Sequence, residues 1–86
     1  MDVQTPAYNG WKNQQTWNVA LWLQNDERLY ISAHNWVQKR IVSGKKVSYQ
    51  LFADWFGLTG YRTPDNVAWT GDKVSRIELD ELMKSL

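Results

Sequence analysis

His34 is the only histidine in a chain of 86 residues that has no cysteine, so little of the usual catalytic equipment is present. A nucleophilic centre needs a base beside a hydroxyl or thiol, with a third group holding the base. Ser32 stands two residues from His34 and faces elsewhere on a helix, which makes His34 a surface or boundary histidine. The missing cysteines remove disulfides, thiolate zinc sites and a cysteine nucleophile. Asp26 with Glu27, and Glu78 with Asp80 and Glu81, read as helix-terminal or solvated acids and not as a converging ligand set. Gly57 and Gly60 lack the strand–loop–helix setting of a phosphate cradle. The expectation is a protein that is not an enzyme and that uses no metal or cofactor.

What remains is the chemistry of contact. The chain carries 6 Trp, 4 Tyr and 2 Phe. An indole is a large apolar body with one N–H that needs an acceptor when covered. A chain this short hides only roughly 60–65% of the surface its unfolded form exposes. Some rings should therefore stay half covered, and such rings are what binding surfaces are built from. Trp17, Trp36 and Trp55 have aliphatic neighbours at helical spacing and are assigned to the core. Trp22 lies on the opposite arc from Trp17 and could serve either use. Trp11 and Trp69 lie in irregular stretches, where they either pin a loop to the body or meet a partner. The protein-contact candidates are Tyr8, Trp11, Trp22, Tyr61 and Trp69. Lys39, Arg40, Lys45 and Lys46 form a secondary polar contact that would steer association.

The elements that must position these rings are helices. Residues 1–12 read as an arm, broken by Pro6, Asn9 and Gly10, and residues 13–86 as one domain. Asn13 caps a first helix to about Gln24, whose apolar residues wrap more than one face. Asn25 is expected to cap a second, with Asp26 and Glu27 at its positive end. Its stripe is Leu29, Ala33, Trp36, Val37 and Ile41, and Gly44 stops it. Ser48 caps a third, with Val47 and Phe52 at staple spacing and an apolar face of Leu51, Phe52, Trp55 and Phe56. Gly57 or Gly60 ends it. Residues 58–73 form a long irregular connection, with a turn at Thr63-Pro64-Asp65-Asn66. Ser75 and Glu78 form a capping box for a last helix with Leu79, Leu82, Met83 and Leu86 inside and Glu78, Asp80 and Glu81 outside. The fold class is all-α: a compact four-helix single domain with a long irregular connection before the last helix.

Charge and hydropathy narrow the partners. Net charge is +1, so no global field draws nucleic acid or anionic lipid. No apolar run approaches the roughly 18 residues of a membrane span, and Met1 to Asn9 lack the basic and apolar regions of a signal peptide. The expected location is the cytoplasm, with no membrane partner. One rival reading is nucleic-acid binding: Val47 to Thr59 is similar to the first helix and turn of a helix-turn-helix unit, and the basic group could act with Tyr49 and Arg62. Against it, Pro64 falls where the recognition helix should be continuous. Another rival is a homodimer whose apolar face is only an assembly seam.

The segment Asn13-Gln14-Gln15-Thr16-Trp17-Asn18-Val19-Ala20-Leu21-Trp22-Leu23-Gln24-Asn25-Asp26 resembles the Asn-Tyr-Glu-Thr-Trp-x-Val-x-Leu-Trp-(Ile/Leu)-x-Asn-(Asp/Glu) signature of a family of short uncharacterised proteins. These occur in bacteriophages, notably cyanophages, and in some bacteria. Thr63-Pro64-Asp65-x-Val67-x-Trp69 is similar to a second segment of related sequences. Gln14-Gln15 replaces the usual Tyr-Glu, which removes an acid that would favour the helix start. The resemblance implies a phage-type protein, present in the host cytoplasm, that binds and modulates or inhibits a host protein. It brings no activity with it, and the signature also has a purely structural reading as caps and core.

Overall fold

The computed structural model of the chain describes residues 10–86, and Tyr8 lies outside the described residues. Four helices follow in order: α1 (Gln14–Asn25), α2 (Glu27–Val42), α3 (Tyr49–Phe56) and α4 (Arg76–Lys84). Helix α4 packs against all the others, and α1 packs on α2. The core lies between them, built on Val19, Leu23, Val37, Phe52, Leu79 and Met83. The all-α reading holds, and no named strand exists among the described residues.

Each helix begins where its cap supplies an acceptor for an orphan N–H. Asn13 Oδ1 accepts from Thr16 N at 2.9 Å, and Ser48 Oγ accepts from Leu51 N at 3.2 Å. The cap of α2 is Asp26 and not Asn25: Asp26 Oδ1 accepts from Leu29 N at 3.1 Å. Asn25 instead stays in α1, and its amide donates back to the Leu21 carbonyl at 2.8 Å. The stop at Gly44 takes the expected form. Its φ is 70°, and the Gly44 and Lys45 amides return to the Ile41 and Arg40 carbonyls, which satisfies two of the last carbonyls.

The capping box at α4 is only half formed. Ser75 Oγ accepts from Glu78 N at 3.3 Å, but Glu78 does not reach back to Ser75. Its carboxylate accepts from Lys12 N at 2.9 Å, and Ser75 N donates to Thr16 Oγ1 at 2.8 Å. A tertiary contact has replaced each local one. Asp80, expected on the acidic outer side, also turns inward in part: its Oδ1 accepts from Tyr49 N at 2.7 Å and so caps α3 from another helix.

The irregular connection is folded back on itself. Arg62 and Ala68 form a lone antiparallel bridge. Within it, Asn66 N donates to the Thr63 carbonyl at 2.8 Å and Thr63 N to the Val67 carbonyl at 2.7 Å. Pro64 takes the second turn position, for which its fixed φ is suited, and Asn66 is left-handed with φ 66°. No helix follows α3 before Arg76, so the second helix of a helix-turn-helix unit is absent there. Tyr49, offered for nucleic-acid contact, is fully buried.

Candidate docking surface

Three of the sequence-predicted contact residues are used to hold the connection and the N-terminal segment in place. Trp22 is half-buried, and its indole N–H donates to Asp65 Oδ2 at 2.9 Å. Asn18 donates to the same oxygen at 2.8 Å and accepts from the buried Thr63 hydroxyl at 2.8 Å. These two donors, Asn18 first, hold the Asp65 carboxyl below its ordinary pKa, because they favour its charged form. Trp69 is a correction to the contact set: only 5% of it is exposed. Its carbonyl accepts from the Tyr49 hydroxyl at 2.7 Å, and burial pushes that phenol's pKa up. Trp11 packs against the core and lines a hollow with Ile77, Glu78, Glu81 and Leu82. Tyr61 remains open, at 68% exposure.

A cluster of rings with one of them exposed lies elsewhere, between α2 and α3. Helix α3 has eight residues, and Tyr49, Phe52 and Ala53 take its core face. Leu51 and Trp55 stand one turn apart on the next arc, and Trp55 is 62% exposed. Its assignment to the core is therefore wrong. The expected apolar face of α3 was drawn one arc too far round, and Tyr49 belonged in it. The i, i+3, i+4, i+7 set Tyr49, Phe52, Ala53 and Phe56 was the readable signal. The same correction applies at Ile41, which lies outside the core stripe of α2 and is 53% exposed.

Trp55 sits on a floor of other rings. Its centroid is 6.4 Å from Trp36 and 6.1 Å from Phe52, and Trp36 meets Phe52 edge-on at 5.5 Å. Phe56 lies 6.4 Å from Trp55 and 5.5 Å from Phe52. Beside Phe56, a hollow of about 310 Å³ opens between Asp26, Arg28, Leu29 and Leu58. The row Arg28, Ser32, Trp36, Arg40 runs along α2 at four-residue spacing and winds about 120° round that helix from one end to the other, whereas Lys39 returns to within about 20° of Arg28. The Arg40 guanidinium carbon lies 4.9 Å from the Trp36 ring centroid, a cation–π contact, and Arg40 Nε donates to the Lys46 carbonyl. Lys39, Lys45 and Lys46 are exposed beyond it. The predicted basic group and the aromatic face are thus neighbours.

Among the described residues no group of His, Cys, Asp and Glu could hold a metal ion, and no helix is long and apolar enough to cross a membrane. The chain belongs to a family of unknown function, DUF7249, which it matches over residues 4–86. No curated protein and no solved structure matches it.

Proposed function

We propose that this member of a family without an assigned role is a small non-enzymatic binding protein that works by occupying the surface of another protein. The exposed Trp55, set on Trp36, Phe52 and Phe56 with Leu51 beside it, supports this reading. A large ring left in water over an ordered apolar floor loses burial that a partner would restore, at roughly 25 cal/mol per Å² of apolar area covered. Trp and Arg are also the side chains that most often dominate interface energetics. The signature resemblance gives the setting: a phage-type protein whose target is a host protein. Tyr61 and Trp11 are secondary contacts, since neither belongs to this face.

The test is capture from host lysate with tagged full-length protein, compared with Trp55→Ala and with Tyr61→Ala. One host protein lost with Trp55→Ala, while circular dichroism is unchanged, is the expected result. Capture indifferent to Trp55 would refute the assignment of the face. Sedimentation over a concentration series covers the homodimer rival, which predicts association of the chain with itself that Trp55→Ala abolishes.

A further inference from the structure

We infer that the α2–α3 face takes an acidic amphipathic segment of a partner protein, with an apolar side chain in the Phe56–Leu58 hollow and acids against Arg28 and Lys39. The inference rests on the docking reading above and adds the chemistry of the partner. From Arg28 to Ala53 the sequence has five cations and no Asp or Glu. The remainder of the chain is net acidic, because the whole carries only +1. Three of the cations thus lie on α2 and two in the link that leads to α3, the helix that carries the exposed Trp55 and no cation of its own.

Their placement favours a peptide with acids at both ends of an apolar centre. Arg28 lines the hollow at one end of the face. Arg40 lies over Trp36 toward the other end, with Lys39 exposed next to it. Twelve residues of helix separate Arg28 from Arg40, a span of about 18 Å, which suits a partner helix of a few turns laid along the face. Three acids border it, Asp26, Glu27 and Asp54, and they leave residues 26–56 with five cations against three acids. Asp26 caps α2 through Leu29 N, and Asp54 accepts from Gln50 and from Thr59. Arg28, Lys39, Lys45 and Lys46 have no ion-pair partner among the described residues. The face therefore keeps a small net positive charge, and its cations are available for pairing.

A single strand of nucleic acid would also meet cations and a ring. The floor argues for a peptide. Trp55 is tilted against Trp36, Phe52 and Phe56, and the adjoining hollow is lined by Leu29, Phe56 and Leu58 together with Asp26 and Arg28. Such a hollow accepts a branched side chain, whereas strand binding uses successive flat platforms along a continuous basic groove.

The probes are two synthetic helical peptides of about four turns and an oligo-dT strand. Both peptides carry Leu at i, i+3, i+4 and i+7, and their other positions are mostly Glu in one and mostly Lys in the other. Calorimetry gives affinity, and the Trp55 indole N–H resonance, identified by its loss in Trp55→Phe, reports the location. The Glu peptide should bind about tenfold or more tighter than the Lys peptide, with the gap shrinking as salt rises. Arg28→Glu with Lys39→Glu should invert that preference, and Arg28→Gln with Lys39→Gln should erase it. Equal, Trp55-dependent binding of both peptides would overturn the acidic assignment and leave the docking face standing. Binding that leaves the Trp55 resonance unmoved would overturn both. Binding of oligo-dT in place of either peptide, or of no probe at all, would also overturn the acidic assignment.

Discussion

Replacing Thr63 by Val should destabilise the protein more than any surface change in the connection. Thr63 is 4% exposed, and its hydroxyl has several tasks. It donates to Asn18 Oδ1 at 2.8 Å, and it accepts from Asp65 N and Val67 N at 3.2 Å each. Valine has nearly the same shape, so the cavity term is close to zero and the polar loss is isolated. Asn18, itself 4% exposed, would keep a buried carbonyl oxygen with no donor. Leaving one such group unsatisfied costs about 1–3 kcal/mol. The two loop amides are longer bonds in a part-buried setting and add less, since water can reach them. A total of about 2–4 kcal/mol follows, against a whole-domain stability of roughly 5–15 kcal/mol. Thr63→Ser is the matched control: it keeps the hydroxyl and removes a methyl, worth about 1 kcal/mol. Urea unfolding followed by circular dichroism compares the two, at an unchanged m-value. If Val proved as stable as Ser, the clamp between α1 and the connection would carry no weight, and the account of Asn18 and Trp22 would fail with it.

Three further outcomes follow from the same geometry. Tyr49→Phe removes the donor to the Trp69 carbonyl and should cost about 1–3 kcal/mol, read as a lower denaturation midpoint. The Asp65 carboxyl, held below its ordinary value by Asn18 and Trp22, contributes stability that is fully present above the unfolded pKa of 3.8. That contribution is lost as pH falls through the lowered folded value. Thermal melts between pH 5 and 2 should therefore show an acid limb that is shallower in Asp65→Asn, and coincident limbs would refute the assignment. Gly57, with φ 94°, ends α3 in a conformation that L side chains rarely adopt. Gly57→Ala should cost about 1–2 kcal/mol although nothing crowds the site.

The helices were legible because their signals are local. Asn13, Ser48 and Ser75 are caps whose acceptors lie within three residues of the donor, and Gly44 and Gly57 are stops. What the chain did not show were the choices settled by distant partners. Glu78 and Ser75 are spaced for a mutual bond, yet each is taken by a residue about sixty positions away. Asp80 belongs to α4 by sequence and caps α3 in space. Trp55 and Trp36 both have aliphatic neighbours at helical spacing. Trp36 is buried and Trp55 open, because α3 packs chiefly on α4 and its second arc is left uncovered. Periodicity says that a ring can be inside, and only the packing of the neighbouring helix decides whether there is room.

The two segments that carry the family resemblance are bonded to each other, and this bears on where function resides. Trp22 of the first donates to Asp65 of the second. Asn13 and Thr16 hold the stretch that leads into α4, through the Lys73 carbonyl and Ser75 N. Trp69 is inside. A signature made of such residues transmits a shape. It fixes the connection against α1. The residues with spare surface, Trp55, Leu51, Arg28 and Lys39, stand outside both segments. Under the docking reading proposed above, partner choice changes through those few side chains while every clamp stays in place. Exchanging them should alter what is bound without moving the unfolding midpoint by more than about 1 kcal/mol. A loss of fold on exchanging those exposed residues would show that scaffold and docking face are not separable.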